Sequence, residues 1–485
     1  MDERQLESAA RWTPLVILVY FAAQFIIRVA LSANLETDEA QFVGQTHLAL
    51  GYGNSHPPLY NWLVAGALAL TGGYWPAALA LLKNALLAGT YLLAFDAGRR
   101  ATGRALTGAI VVASFMLLPQ IVWKSQITLA HSVLVMFAVV AALHAVVCIV
   151  ERGDWPSFLW LGLTSAIGAL AKYNFLLTLI AILIAALSIP DIRRRVFVPR
   201  LAASFAVLMV LFTPHAIWAV QHLHETTERL AKLERDSGAF GVIDLPGIGL
   251  DGLLSFIVAS AAWAGPLLAV WLAIRYFEPS RLEVLPDEAR TRSFAQLFGR
   301  TTLIGVGAFA AIILVGDMHS VFERYLTPLL MPLPFWLATA LPLETRRRAP
   351  LHFLRIAAVI AVLMVTAWPL WITFGREQFA YPYGSITASL SDGVEGPFSV
   401  LGPQDKFAAN IAIRLDRARA WEERVPTDQV VVLWDPKSAR SPDGAAARLG
   451  SAFEPRGAVI TMNFPYDNFS GQKARLNAQV YMRRP

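Results

Sequence analysis

The sequence predicts an all-α polytopic membrane protein with a small C-terminal α/β domain. Of the 485 residues, 56% are hydrophobic and only 16% are charged, whereas about a quarter of the residues in soluble domains carry a charge. Apolar runs of about 20 residues, the length of a membrane-spanning helix, recur along the chain. This composition excludes an ordinary soluble enzyme, and the high hydrophobic fraction also excludes a disordered chain.

Eleven apolar segments are the candidate membrane-spanning helices. They are 15–31, 75–98, 105–122, 127–150, 155–171, 174–190, 201–220, 249–274, 301–315, 325–342 and 356–374. We interpret the first as an uncleaved helix, because its apolar run is longer than a signal-peptide core. We expect about 11 spans and at most about 13, since short breaks such as 171–174 are ambiguous.

The Lys and Arg residues between the apolar segments indicate the orientation. With the N-terminus in the cytoplasm, 19 of them lie on the cytoplasmic side and six on the opposite side before residue 375, as the positive-inside rule predicts. The chain is therefore expected to be a bacterial inner-membrane protein with its tail in the periplasm. Because the basic residues are spread over short loops, the net charge of +6 does not indicate a nucleic-acid partner.

Residues 375–485 have the pattern of a small α/β domain. Asp428–Asp435 and Ala458–Met462 have the composition of short strands, and Leu401–Arg424 has helical spacing with many charges. We therefore predict a transmembrane domain over 1–374 and a periplasmic α/β domain over 375–485. This domain is expected to cover or pack on the membrane part rather than to carry the chemistry.

The first outer loop, 34–74, has no Lys or Arg, but three acids follow the first span directly: Glu36, Asp38 and Glu39. Residues 38–50 have helical periodicity, and Pro57-Pro58 can end one helix and begin another. We expect two short helices on the outer membrane surface here. Because acids favour a helix N-terminus, Glu36 and Glu39 are expected at a solvated helix end, whereas Asp38 is either a helix cap or a reactive group.

Several ionisable residues fall inside the predicted spans. Arg28 lies near the end of its helix, so we expect its side chain to extend to the membrane interface. Lys83 is deeper, and a buried cation there either binds phosphate or pairs helices. His131 and His144 lie on apolar helix faces and are expected to be structural.

Four motifs resemble one family. Thr37–Ala40 followed by Asn54–Tyr60, with its Pro-Pro pair, resembles the acidic first-loop motif of C-type-fold glycosyltransferases that use polyprenyl-phosphate sugars. These include lipid A aminoarabinose transferases and protein O-mannosyltransferases. Ala169–Asn174 resembles a break between two spans of that family, and His319–Leu330 resembles its Arg-containing, Pro-rich late motif. The chain is most similar to bacterial lipopolysaccharide-core and lipid A galacturonosyltransferases, over roughly residues 12–345.

The resemblance implies a reaction at the outer membrane surface, where the donor sugar is attached to a lipid phosphate. The enzyme must deprotonate or orient an acceptor oxygen and stabilise the departing phosphate. By resemblance, the catalytic carboxylates are Asp38 and Glu39, with Asp38 as the acid–base residue. The substrate-binding candidates are His56, Tyr60, Lys83, Lys172 and Arg324.

The resemblance also implies a divalent metal, with His222 as the candidate ligand. Two histidines two residues apart, His222 and His224, share a metal only from an extended chain, so an interfacial histidine without a ligand is the alternative. His56 and Ser55 stand where the aminoarabinose transferases carry a Lys and a metal-binding Glu, which weakens the case for an identical metal site. The second large outer loop, 221–248, has the pattern of a solvated helix or of a gate over the acceptor.

The predicted function is therefore transfer of a sugar, a uronic acid, from a polyprenyl-phosphate donor to lipopolysaccharide core or lipid A. A protein O-glycosyltransferase of the same fold is one alternative. A transporter or flippase of lipid-linked sugars is another, but it would carry polar residues near the membrane midplane or broken helices in paired halves. A purely structural scaffold leaves the acidic loop and the Pro57-Pro58 motif unexplained.

Overall fold

The computed structural model describes residues 3–52, 56–224, 250–279, 288–316, 318–375, 378–402, 404–420, 427–436 and 449–484. Helices make up most of this part of the chain, and a five-stranded sheet lies near the C-terminus. The predicted fold class, a polytopic helical protein with a small α/β domain, is confirmed. Most of the predicted second outer loop, from residue 225 onward, lies outside the described residues.

The helices of the described ranges are, in chain order, α1 (Glu3–Ala10), α2 (Thr13–Leu31), α3 (Thr37–Ala40), α4 (Leu59–Leu70), α5 (Trp75–Thr102), α6 (Ala105–Phe115), α7 (Ser125–Ile127), α8 (Ala130–Arg152), α9 (Trp155–Ala171), α10 (Phe175–Ser188), α11 (Pro190–Val196), α12 (Leu201–Gln221), α13 (Leu250–Phe277), α14 (Glu288–Val315), α15 (Glu323–Leu330), α16 (Leu333–Ala340), α17 (Ala349–Phe374), α18 (Tyr383–Gly393) and α19 (Asp405–Ala412). A π-helical turn, Gln120–Lys124, precedes α7. Each of the predicted apolar segments is thus helical over much of its described length.

Seven of the described helices are long and apolar enough to cross a membrane, namely α2, α5, α8, α12, α13, α14 and α17. Three bent pairs raise this number to ten if each pair is one span. The bends are 74° after α6, 114° between α10 and α11, and 44° between α15 and α16. The helix α9 is also apolar, with 17 residues. The protein is therefore a multi-pass membrane protein.

The chain forms two compact units. The first comprises Met1–Ala22, Ala49–Tyr60 and Lys83–Met364, and the second comprises Ala23–Leu48, Asn61–Leu82 and Val365–Pro485. The segments 23–48 and 61–82 fall within the predicted transmembrane domain, 1–374. In the structure, both belong to the same unit as the C-terminal tail.

In the first unit, local signals separate α8 from α9. Gly153 ends α8 with a positive φ of 64°, a conformation that glycine adopts without steric cost. Asp154 then caps α9, and its carboxylate accepts a hydrogen bond from the backbone N–H of Ser157 at 3.1 Å. Hydrogen bonding to Ser157 lowers the pKa of Asp154. Two adjacent apolar helices therefore remain distinct although hydropathy alone does not divide them sharply.

In the second unit, five strands form a mixed sheet in the order β2-β1-β3-β5-β4. They are β1 (Phe398–Leu401), β2 (Ala418–Ala420), β3 (Gln429–Trp434), β4 (Phe453–Pro465) and β5 (Lys473–Arg483). β1 pairs in parallel with β2 and β3, whereas β5 pairs antiparallel with β3 and β4. Ile386 and Leu390 of α18 and Ile411 of α19 pack against β3 residues such as Leu433 to form the core. The two predicted strands are confirmed as parts of β3 and β4.

Two helix predictions in this unit are wrong in part. The predicted helix over Leu401–Arg424 is confined to α19, because Leu401 ends β1 and Ala418–Ala420 pairs with β1 as β2. Sheet pairing outweighs the local helical spacing there. In the first loop, the helical pattern over 38–50 continues only to Ala40, and Gly44 adopts a positive φ of 92° soon afterwards. The second predicted helix, after the Pro-Pro pair, is confirmed as α4.

Candidate active site

The short helix α3 carries the predicted catalytic carboxylates, and Glu36 is its N-cap. The Glu36 side chain accepts a hydrogen bond from the backbone N–H of Asp38 at 3.1 Å, while Glu39 Oε2 accepts one from the Glu36 N–H at 3.1 Å. This reciprocal capping box satisfies backbone donors that a helix start leaves without partners. The helix-cap alternative for Asp38 is therefore wrong, and Asp38 lies half-buried in the first turn.

Arg28 holds Glu39 inside the second unit. Its Nη2 lies 2.8 Å from Glu39 Oε2, and the two side chains are only 6% and 2% exposed. The guanidinium also donates to the carbonyl oxygens of Ser32 at 2.8 Å and Asn34 at 2.7 Å, and it lies 4.5 Å from the ring centroid of Phe379. Arg28 therefore extends past the end of α2 to the first loop, where its guanidinium is buried; its position relative to the membrane interface stays a prediction. Glu39 is not at a solvated helix end, and neither is Glu36, which is 3% exposed.

A tyrosine pair lies in the same unit, close to the acidic loop. Tyr383 is 1% exposed, and its ring centroid lies 4.8 Å from that of Tyr381. Burial raises the pKa of Tyr383 well above its ordinary value; Tyr381 acts in the same direction, and the positive charge of Arg414 opposes it. The Tyr383 hydroxyl therefore stays protonated at neutral pH.

In the first unit, His56 and Tyr60 pack on His131, the second residue of α8. The rings of His56 and His131 are stacked with centroids 4.1 Å apart, and the Tyr60 ring centroid is 5.3 Å from that of His131. All three residues are buried, with exposures of 8%, 0% and 4%. The residue before α8, Leu129, has a positive φ of 67°, which is rare for a residue other than glycine. The chain therefore enters α8 through a left-handed residue two positions before His131.

Lys172 reaches the same turn of α8 from the break between α9 and α10. Its Nζ donates a hydrogen bond to Ser132 Oγ at 3.2 Å and lies 5.7 Å from the ring centroid of Tyr325. The Arg324 guanidinium lies 5.4 Å from the same ring and is exposed. Asn174, in the same break, donates to the Tyr325 carbonyl oxygen at 3.3 Å. The first turn of α8 is thus lined by a buried lysine, two imidazoles and tyrosines, and we call His56, Tyr60, His131, Ser132, Lys172 and Tyr325 the α8 cluster.

Lys83 is buried beside the segment that leads into α8. Its Nζ donates to the Gln126 carbonyl oxygen at 3.2 Å, and the Gln126 side chain donates to the Asn84 side chain at 3.2 Å. These contacts join α5 to α7. Of the two roles expected for Lys83, the described contacts correspond to helix pairing, and phosphate binding stays a prediction.

His222, the predicted metal ligand, ends α12 in an aromatic stack. Its ring lies 4.5 Å from that of Trp218, and its Nδ1 lies 2.9 Å from the Trp218 carbonyl oxygen. Two turns before His222, His215 Nε2 lies 2.9 Å from the Tyr173 hydroxyl, and burial raises the pKa of Tyr173 to about 12. No group of three or more His, Cys, Asp or Glu side chains suited to a metal occurs among the described residues. A metal at His222 therefore stays a prediction.

His131 was expected to be structural because the surrounding helix is apolar. The structure places it in the first turn of α8, stacked on the predicted substrate-binding residue His56. A signal was available, since Lys124, Ser125, Gln126 and Thr128 mark a polar break just before His131-Ser132. Polar residues directly after such a break lie at a helix N-terminus, where the helix dipole favours anions.

The chain is similar to known proteins both in sequence and in fold. Residues 55–218 match the family described as dolichyl-phosphate-mannose-protein mannosyltransferase. The structure is similar to the crystal structure of ArnT from Cupriavidus metallidurans, which is bound to undecaprenyl phosphate. That similarity covers 97% of this chain and 98% of ArnT, with a TM-score of 0.59 and 13% sequence identity. The chain has the C-type glycosyltransferase fold.

Two curated relatives are similar in sequence. Lipopolysaccharide core galacturonosyltransferase RgtA of Rhizobium johnstonii is 32% identical over 325 residues, which are 66% of this chain and 63% of RgtA. RgtB, with the same description and from the same organism, is 28% identical over 408 residues, which are 82% of this chain and 80% of RgtB. The chain thus spans less than two thirds of RgtA. The resemblance indicated by the sequence motifs is confirmed.

Proposed function

We propose that this protein is an inner-membrane glycosyltransferase that moves a uronic acid from a polyprenyl phosphate to lipopolysaccharide core or lipid A on the periplasmic face. The α8 cluster is the observation that carries the proposal. Lys172 and His56 bring positive or protonatable groups to a helix N-terminus, which is a favourable place for a phosphate. The likeness to lipopolysaccharide core galacturonosyltransferases and to ArnT supports the lipid-linked donor and the acceptor class.

In the proposed reaction, the acceptor hydroxyl oxygen attacks the anomeric carbon of the donor sugar. The bond from that carbon to the phosphate oxygen breaks, and polyprenyl phosphate leaves. Lys172, His56 and the N-terminus of α8 stabilise the negative charge on the leaving phosphate. The acceptance of the proton of the acceptor hydroxyl is assigned to Asp38 on the resemblance of its motif, Thr37–Ala40. We assign Glu39 a supporting role, because its carboxylate is buried against Arg28 and completes the cap of α3.

Mass spectrometry of lipopolysaccharide from a strain that lacks the gene tests this function. We expect the core or lipid A to lose the mass of one hexuronic acid, and the wild-type gene to restore it. Purified protein in detergent should then transfer the sugar from the lipid-linked donor to the deficient lipopolysaccharide. In detergent the protein no longer separates two membrane faces, so a flippase, which only moves lipids between the faces, would give no glycosylated product in this assay. Unchanged lipopolysaccharide in the deletion strain would contradict the proposal.

Replacing His56 or Lys172 with Ala should raise the KM for the lipid donor on the order of 10-fold, because hydrogen bonds to a charged phosphate contribute about 1.5–3 kcal/mol. The KM for the acceptor should change less than about twofold, since these residues are assigned to the donor phosphate. Steady-state kinetics with each substrate varied in turn measures both constants.

The matched control for these variants is Lys124→Ala, because Lys124 is exposed in the segment that leads to α8. It should leave the donor KM unchanged. If His56→Ala and Lys172→Ala also leave the donor KM unchanged, neither residue contacts the phosphate.

A further inference from the structure

The side chain of Asn410, in α19 of the C-terminal domain, pairs with the backbone of Leu35 in the first loop. Its Oδ1 accepts a hydrogen bond from the Leu35 N–H at 2.8 Å, and its Nδ2 donates to the Leu35 carbonyl oxygen at 2.9 Å. Asn410 is 0% exposed and Leu35 is 1% exposed. One amide group thus satisfies both polar groups of a buried backbone residue, as a neighbouring strand would.

Arg414, one turn further along, binds Asn410 and also Asn34, the residue before Leu35. Its Nη2 donates to Asn34 Oδ1 at 2.5 Å, while its Nη1 donates to the Asn410 carbonyl oxygen at 2.8 Å and to Asn410 Oδ1 at 3.2 Å. The other end of the Asn34 amide donates to the carbonyl oxygens of Phe379 at 2.9 Å and Tyr381 at 2.7 Å. Asn34 is therefore fixed at both ends by residues that follow α17 in the chain.

These contacts lie directly before the turn that carries Asp38. Leu35 precedes the N-cap Glu36, and the capping box with the Arg28–Glu39 ion pair fixes the orientation of α3. On the side of the C-terminal domain, Phe407 and Ile411 anchor α19 in the hydrophobic core next to the sheet. The path from the sheet to Asp38 therefore consists of buried, hydrogen-bonded or packed groups.

We infer that Asn410 and Arg414 are positioning residues, through which the C-terminal domain sets the location of the Asp38 carboxylate for proton transfer. The inference rests on the proposed function and gives the domain a role in catalysis without contact to substrate. A displacement of about 1 Å at a reacting group can cost on the order of 100-fold in rate. Loss of these contacts should therefore lower kcat, whereas the donor KM depends on the α8 cluster.

The test compares Asn410→Ala and Arg414→Ala with Arg417→Ala in the full-length protein. Arg417 is also half-buried in this domain, but it donates to the Ser391 carbonyl oxygen at 2.6 Å instead of to the loop. We expect kcat to fall about 10- to 100-fold in the first two variants, with the donor KM within about twofold of wild type. Arg417→Ala should keep the wild-type kcat, and Arg414→Lys should recover part of it.

Two further readouts separate positioning from a merely structural role. Amide hydrogen exchange over residues 32–42 should become faster in Asn410→Ala and Arg414→Ala, but not in Arg417→Ala. In an Asp38→Asn background, Asn410→Ala should lower kcat much less than in wild type, because residues that act as one unit are not additive. If Asn410→Ala does not fold, Arg414→Ala decides, since it leaves the Asn410 pairing with Leu35 in place.

The outcomes distinguish the two proposals. Wild-type kcat in both variants, or unchanged exchange over residues 32–42, overturns the inference and leaves the proposed function standing. Absence of sugar transfer by wild-type protein overturns the proposed function and the catalytic role of Asn410 with it. Hydrogen exchange needs no substrate, so it still shows in that case whether the domain holds the loop.

Discussion

Replacing Asp38 with Asn should lower kcat on the order of 10²–10⁴-fold while the protein stays folded. Asn has nearly the same size as Asp, but its neutral amide cannot act as a base near neutral pH. The cap of α3 is Glu36, so the start of this helix does not depend on the Asp38 carboxylate. Turnover of the purified variant, together with its thermal unfolding in detergent, measures the two properties separately.

Asp405→Asn is the matched control for Asp38→Asn. Asp405 also lies in the first turn of a helix, α19, but it is exposed and belongs to the sheet domain. Its replacement should change kcat less than about twofold, because surface substitutions have small effects. Glu39→Gln is unsuitable as a control, since Glu39 is paired with the buried Arg28. An Asp38→Asn protein that transfers sugar at the wild-type rate would remove Asp38 from the chemistry and leave the fold assignment intact.

Of the substitutions proposed for this protein, those that break the Arg28–Glu39 ion pair should cause the largest loss in the free energy of unfolding. Both side chains are buried, so Arg28→Met or Glu39→Gln leaves one charge without its partner, and this costs about 3–5 kcal/mol in the free energy of unfolding. The double variant should lose less than the sum of the two single variants, because it removes both charges. Denaturant unfolding in detergent, followed by tryptophan fluorescence, measures these differences.

The exposed pair Arg484–Glu454 provides the control for this experiment, with side chains 58% and 56% exposed. Glu454→Gln should change the free energy of unfolding by less than about 1 kcal/mol, because water already solvates both charges. If Arg28→Met and Glu39→Gln lower the free energy of unfolding no more than Glu454→Gln does, the buried ion pair does not hold the acidic loop in the folded protein.

Much of the architecture was predictable because its signals are local. Hydropathy over about 20 residues depends only on consecutive side chains, so the apolar segments were found as helices. The same holds for β3, an apolar run bounded by turn residues, and for the break after Ala171 that presents Lys172. In the candidate site, the acidic turn and the Pro-Pro start of α4 were predictable for the same reason, since caps and proline act within one turn.

The sequence by itself thus determined the fold class, the helical segments and the presence of an acidic first loop. Only the tertiary structure decided which acids are structural. Glu39 was expected to be solvated and is buried because Arg28, 11 residues away, reaches it. His131 joins His56, and Asn410 pairs with Leu35 across 375 residues of chain. Such contacts leave no periodic pattern in the sequence, because a buried charge or amide is stabilised by whichever distant group the fold brings to it.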